Sequence, residues 1–416
     1  MAQDLKMKDL QIQNRMAFAT RAVDGRVVQG EDIHDPREKL TELEETGQAI
    51  IHHITDENKP VEVELLHGWK KLIPTNKLWQ HKSCGQCGHI PGYVTSLYWL
   101  FNLLGTDYFD ETNQTSCTAW NYHGSATSNV VALAAVAVRN FHRAYQTDYY
   151  PLIHCATSFG DYKEMRNMLV HSEELRDEVR RILKKIGRDL VIPEEIVHYS
   201  DWLHVMRFEI AEHKKYDVGH IITTVHPGCH TWKMIPEDCI YDKTIYNGKR
   251  PAPTTSNLLA MDAQVADYST WADCCGFGFR HILTEREFSR SFALQRKIKP
   301  MVDEANSDVC ITQDTGCTTT LDKSQWIGKA HQMEYDIPVM SDAQFLAIAC
   351  GADPYKIAQL TWHNGDSTKL LEKMGIDWRT SKKSFDEYVE SIKKGGEVES
   401  LYRNQPGKFG SLPIVK

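Results

Sequence analysis

The sequence predicts an α/β protein made of two duplicated cysteine-rich domains, each a mostly parallel sheet flanked by helices, behind an N-terminal extension. Three observations lead there. Short apolar runs of β type alternate with helical patterns, the signature of a parallel sheet covered on its faces. Several of those runs end at a cysteine, and the cysteine spacing of one half is echoed in the other. At roughly 100–200 residues per domain, a chain of 416 residues has room for two or three sizeable cores. With 41% hydrophobic and 25% charged residues, wholesale disorder is excluded. A net charge of −8 argues against a general nucleic-acid binder, which carries a basic excess.

Residues 1–80 form the extension, free of cysteine and rich in charge. Within it, Pro36 to Ile54 has helical apolar spacing and Val61 to Leu66 reads as a short strand. Two readings stay open for it, an arm around a partner and an extra layer on the core. Residues 81–215 form the first cysteine-rich domain: Val130 to Val138 reads as a buried helix segment, and the strand-like Tyr149 to His154 leads into Cys155 and a helical stretch from Asp161. Residues 216–375 form the second. There Val218 to Val225 precedes His226-Pro227-Gly228-Cys229, and Asp308 to Thr312 precedes Gln313-Asp314-Thr315-Gly316-Cys317. Ile337 to Met340 runs into Ser341-Asp342, a good helix start, and an apolar helix through Cys350. Residues 376–416 form a peripheral tail with one amphipathic candidate, Ser384 to Lys394. In sheets of this kind the functional crevice lies beyond the carboxyl ends of the strands, where three cysteine-bearing segments fall.

Met1 to Met16 mixes charges and lacks the apolar core of a secretory signal, and no run reaches the ~18–20 apolar residues of a membrane span. The expected location is the cytoplasm, where thiols stay reduced and clustered cysteines mean metal or catalysis rather than disulfides. The repeat sets Cys87, Cys117 and Cys155 against Cys229, Cys274-Cys275 and Asp314, at offsets of 142 to 159 residues. It also sets Ser200-Asp201 against Ser341-Asp342.

The second copy carries the stronger chemical signal. Cys229 is followed after 44 residues by the adjacent pair Cys274-Cys275, then after 38 more by Asp314 and Cys317. Adjacent thiolates fit one tetrahedral zinc poorly and reach different irons of a cluster more naturally. Gly276 and Gly278 let backbone N–H groups approach such a cofactor. Two buried cysteines beside unrelated ones is the plain alternative. In the first copy, Cys84, Cys87, Cys117 and Cys155 supply four thiolates, enough for a cubane cluster or a zinc, while Cys84-x-x-Cys87 alone also fits a redox dithiol.

These residues resemble the cysteine-rich domains of the heterodisulfide reductase B-subunit family, whose pattern is a lone Cys, a Cys-Cys-Gly and a C-x-x-C, present twice. The likeness covers roughly residues 82–374. Cys229 stands at the lone position, Cys274-Cys275-Gly276 at the pair, and Asp314 with Cys317 at the last motif; in the first copy Cys87, Cys117-Thr118 and Cys155-x-x-Ser158 take these places. The resemblance implies a non-cubane [4Fe–4S] cluster in the second domain, held by Cys229, Cys274, Cys275 and Cys317, with chemistry on disulfides centred on Cys274, Cys275 and Asp314. Asp314 replaces a family cysteine and reads either as an oxygen ligand or base, or as a hydrogen-bonding group only. For the first domain the resemblance leaves a second iron–sulfur cluster or zinc. The extension and the lost cysteines look most like the B-type member of heterodisulfide reductase-like complexes in sulfur oxidisers. Partners implied are the flavoprotein and the ferredoxin-like protein of the complex, and a disulfide or persulfide substrate carried on a lipoate-binding protein.

His226 and His230 flank Cys229 as candidates for proton transfer or hydrogen bonding, and Arg280 and His281 as candidates for attracting an anion. Cys239, Cys310 and Cys350 fall outside the pattern and read as structural. No dinucleotide fingerprint, Walker A sequence or ferredoxin run is present, so electrons are expected to come through partners. Two rival functions stand beside this one: an iron–sulfur subunit of lactate or glycolate oxidation, and a zinc-stabilised scaffold.

Overall fold

The computed structural model describes residues 36–65, 69–82, 92–110, 113–119, 129–278 and 284–397. Cys84, Cys87, Arg280 and His281 lie outside the described residues.

Helix α1 (Pro36–Glu45) is followed by strand β1 (Ile50–His52) and by the antiparallel pair β2 (Val61–Glu64) and β3 (Lys70–Ile73). The helical periodicity read through Ile54 therefore stops early. Ile50 to His52 finds a parallel strand partner instead, and pairing overrides a pattern that suits either structure.

The first sheet is built from β4 (Leu78–His81), β5 (Tyr108–Phe109), β6 (Tyr150–Ile153) and β8 (Val197–His198), all parallel in the order β5-β4-β6-β8. Its helices are α2 (Tyr93–Leu104), α3 (Val130–Thr147), α4 (Ala156–His171) and α5 (Glu173–Lys184); β7 (Val191–Pro193) is the partner of β1, and α6 (Tyr199–Val205) follows β8. Asn129 starts α3 by accepting the Val131 N–H at 2.9 Å, and Asp148 ends it with a left-handed φ of 62°.

The second sheet repeats this plan. Strand β9 (Ile222–His226) leads to a short α7 (Cys229–Trp232), then α8 (Pro253–Ala260) and β10 (Gln264–Val265). Next, α9 (Arg286–Ala293) runs through a π-helical turn, Leu294–Ile298, into α10 (Lys299–Asp303). After β11 (Val309–Thr312) come α11 (Thr315–Ser324), β12 (Val339–Ser341) and α12 (Asp342–Ala349). All four strands are parallel, in the order β10-β9-β11-β12, the same arrangement as the first sheet. A final helix, α13 (Trp378–Lys393), buries Phe385.

Register fixes the correspondence of the halves residue by residue. His81 pairs with Ile153 and His226 with Thr312, while Ile153 pairs with His198 and Thr312 with Ser341. His81 thus corresponds to His226, Cys155 to Asp314, and His198 to Ser341. The matching Ser-Asp dipeptides of the two halves are two residues out of this register; the equivalent residues are the helix N-caps His198 and Ser341.

The halves also pack crosswise, α2 against α12 and α8 against α6, as a pseudo-twofold axis requires. At the crossing, Gly92 has φ 83°, and a Cβ there would come within 1.9 Å of the Ala358 carbonyl, so only glycine fits. Two apolar clusters form the core, and each takes residues from both halves, such as Leu97 with Phe345 and Phe159 with Cys310. The described part of the extension is a layer on this core. Lys71 is buried and reaches Asp201 at 3.1 Å and Asp238 at 2.8 Å, joining the extension to both halves.

Candidate metal centre

Local rules bring the site residues to one edge. Strands β9 and β11 end at His226 and Thr312, and the helices that follow, capped by Gly228 and Asp314, carry Cys229 and Cys317. Cys274 and Cys275 arrive on the loop after β10, which is pressed onto α9. Gly276 has φ 85°, and an added Cβ would sit 2.7 Å from the Ser289 carbonyl, while the Ser289 hydroxyl donates to the Gly276 carbonyl at 2.5 Å. The N–H groups of Gly276 and Phe277 point to the sulfurs of Cys274 and Cys275, each at 3.4 Å.

The ligand atoms of His226, Cys275 and Cys317 lie within 4.8 Å of one another, and all three residues are buried. Cys275 exchanges hydrogen bonds with Cys274 and Cys317, and Cys229 faces the group electrostatically. Cys274 is the exposed member. The structure thus brings together Cys229, Cys274, Cys275, Cys317 and Asp314, and adds His226 as a candidate ligand.

Such crowding resists ionisation. The hydrogen bond with Cys275, then burial, raise the Cys274 thiol, and burial with the neighbouring Cys274 and Asp314 raises Cys229. For Cys275 a hydrogen bond with Cys274 acts downward, but Cys317 and burial push the thiol well above its usual value. Cys317 is pulled down by Cys275 yet lifted further by burial and Asp314. Buried thiols stacked this closely become thiolates only if a cation replaces their protons. His226 is held neutral by burial and by Lys297 and Lys233, and its Nδ1 is buried without a hydrogen-bond partner. A soft donor set of this kind, with an orphaned imidazole nitrogen, fits a metal or an iron–sulfur cluster.

Asp314 lies at the seam between the halves. Its Oδ1 accepts the Cys317 N–H at 2.8 Å as the N-cap of α11. Its Oδ2 accepts the Thr157 N–H and hydroxyl, each at 2.8 Å, from the first turn of α4. Cys155, its counterpart, donates its thiol toward the same Oδ2 at 3.6 Å and accepts the Thr315 hydroxyl at 3.1 Å. One carboxylate therefore faces two helix N-termini, the polarity such termini favour. Thr157 has no motif to reveal it; only the crossed packing of the halves does.

In the first half, Cys117 is buried and accepts the Ser158 hydroxyl at 2.9 Å. Ser158 corresponds to Cys317, so this contact matches Cys117 with Cys275, one place on from the alignment with Cys274. His230 packs beside Cys229, with its Nδ1 3.6 Å from the sulfur and 3.4 Å from the Thr157 hydroxyl. Cys239, Cys310 and Cys350 are buried, and Cys310 shares an apolar cluster with Cys275 and Cys317.

The paired-cysteine site at the carboxyl edge of the second α/β unit marks a cysteine-rich domain protein, and residues 223–322 match the family model described as a cysteine-rich domain, CCG. The chain is 28% identical over 316 residues to the B subunit of the ferredoxin:CoB-CoM heterodisulfide reductase of Methanosarcina acetivorans, covering 73% of this chain and 98% of that protein. It is 26% identical over 277 residues to a protein of Archaeoglobus profundus described as like the B subunit of heterodisulfide reductase, covering 64% and 88%. Over most of its length the chain is thus similar to heterodisulfide reductase B subunits. A crystal structure of a hypothetical protein from Helicobacter pylori shares the fold, with a TM-score of 0.55 at 12% identity, over 82% of this chain and 58% of that one. Among the described residues no helix is long and apolar enough to cross a membrane.

Proposed function

We propose that the chain is the iron–sulfur redox subunit of a heterodisulfide reductase-like complex, making or breaking disulfide or persulfide bonds at a non-cubane-type cluster in the second cysteine-rich domain. The observation that carries this is the gathering of Cys229, Cys274, Cys275 and Cys317 beside His226 in a chain similar to heterodisulfide reductase B subunits. For a disulfide the net change is R–S–S–R′ plus two electrons and two protons to two thiols, or its reverse. Held by Cys229, Cys274, Cys275 and Cys317, a cluster would supply soft irons that bind sulfur and exchange electrons.

The protein's residues set the stage for that exchange. Cys274 marks the side open to substrate, and the Gly276 and Phe277 N–H groups stabilise charge on the paired sulfurs. His230 stands where a proton can pass to a departing thiolate near Cys229. Asp314, with three N–H and O–H donors on its two oxygens, acts as a latch between the halves rather than as an iron ligand. The flavoprotein and the ferredoxin-like protein of the complex feed electrons. Sulfur metabolism, with the substrate held on a lipoate-binding protein in the cytoplasm, is the setting this reading assigns.

A structural zinc is the second reading, favoured by the compact His226, Cys275, Cys317 set, which matches zinc chemistry. Anaerobic purification with iron, sulfide and zinc analysis separates the two. Iron and acid-labile sulfide together, and turnover of a disulfide with a low-potential electron donor, are expected; zinc alone in a colourless protein would overturn the redox reading.

A further inference from the structure

The helical run from α9 to α10 turns one stripe inward, made of Ser289, Ala293, Lys297 and Met301 at four-residue spacing. A lysine in that stripe breaks the apolar pattern. Lys297 is 0% exposed, and its ammonium donates to the Thr270 carbonyl at 2.5 Å and the Trp271 carbonyl at 3.0 Å, over the ring of Tyr268. Those carbonyls begin the loop that carries Cys274 and Cys275, and Ser289 ties down its far end at Gly276. Among the described residues no carboxylate lies within 4.0 Å of Lys297, whereas Lys71 has two and Lys163 has two. A buried cation without a paired acid is costly unless something else compensates it. The charges it faces are the Cys275 sulfur first, then the Asp273 carboxylate, then the sulfurs of Cys310 and Cys317. Burial lowers its pKa to about 8, an effect these groups offset in part. It sits on a π-helical turn, a distortion often found at functional sites.

We propose that Lys297 is a positioning residue whose buried positive charge compensates the thiolates of the Cys275–Cys317 site and raises the reduction potential of the group held there. This rests on the metal-centre reading above. A fixed positive charge stabilises the more negative, reduced state, so losing it moves the midpoint to more negative potential.

Full-length chains carrying K297M, K297Q or K297R, reconstituted anaerobically, test this by redox titration followed by EPR. K297M and K297Q are expected to shift negative together, while K297R stays near the wild type. K297Q keeps a donor for the loop and drops only the charge. Equal shifts in all three, or none in K297M and K297Q, would overturn the proposal and leave Lys297 as a loop staple. Should the uncharged variants fail to hold a cluster, cobalt(II) binding to the apo chains decides, read by sulfur-to-cobalt charge transfer. Affinity about tenfold weaker in K297M and K297Q but retained in K297R supports the role, and equal affinity in all refutes it. A wild-type protein without iron or sulfide would instead strike at the cluster reading, before any variant is compared.

Discussion

In the first half, His81 Nε2 lies 3.0 Å from the Tyr162 hydroxyl, which also accepts from Asn140 Nδ2 at 2.8 Å. In the second half the equivalent of Tyr162 is Leu321, and His226 faces Cys275 and Cys317 instead. The strand, the register and the histidine are the same; the residue one turn along the next helix is not. A tyrosine closes the first position with the protein's own hydroxyl. A leucine cannot, and the second position keeps nitrogen and sulfur donors for a metal. Ser158 in place of Cys317 completes the difference. Duplication gave two copies of one edge, and among the described residues side chains within a single helical turn decide whether the histidine meets a tyrosine hydroxyl or two cysteine sulfurs.

The strongest way to break this comparison is to make the second half like the first. C317S puts the first-half residue into the second-half site, and loss of most of the iron and sulfide is expected, with turnover reduced about 100-fold or more once one ligand is gone. Retained metal in C317S would mean that the cluster is held elsewhere.

Cutting the seam comes next. D314A strips the acceptor from the Cys317 N–H and from both Thr157 donors, and is expected to cost about 3–5 kcal/mol by chemical denaturation of the apo protein. A cost below about 1 kcal/mol would show that the latch contributes little.

Asp161 gives a pH test. It is buried in the first half, where Thr320 stands in the second, and burial pushes its carboxyl up to about 7, with hydrogen bonds from Thr118 pulling down only in part. Its folded pKa lies above the unfolded value, so the folded state binds the extra proton, and stability falls as pH rises from about 4 to about 7. D161N removes that fall: relative to the wild type it gains about 2–4 kcal/mol on going from about pH 4 to about pH 8. A constant difference across that range would place Asp161 in a more solvated setting.

The smallest effect is expected at Cys117. C117S leaves the second-half signals unchanged and shifts stability by about 1 kcal/mol, since the Ser158 contact survives as a hydroxyl pair. A lost second-half signal in C117S would couple the sites.

The alternating runs made the fold class legible, because strand pairing follows apolar length and the turns that bound it. That Cys274-Cys275 and Asp314 to Cys317 come together was legible too, since paired cysteines and a strand-to-helix turn leave local spacing in a chain. What depends on register was not. His226 reads in sequence as a neighbour of Cys229, yet strand β9 carries it to Cys275 and Cys317. The Ser-Asp dipeptides suggest an alignment two residues away from the one the strands adopt. Cys155 reads as a first-half ligand, but crossed packing turns it to Asp314 and Thr315 of the second half. Lys297 is visible in principle, as a charge on an inward helical stripe, though its partners are backbone carbonyls that no motif announces.

EPR of the anaerobically purified, oxidised protein, taken side by side with C317S and C117S, tests the central claim most directly. A paramagnetic iron–sulfur signal in the wild type and in C117S, abolished in C317S, is the predicted result. A signal that survives C317S unchanged, or a wild type that carries zinc and no iron, would contradict it.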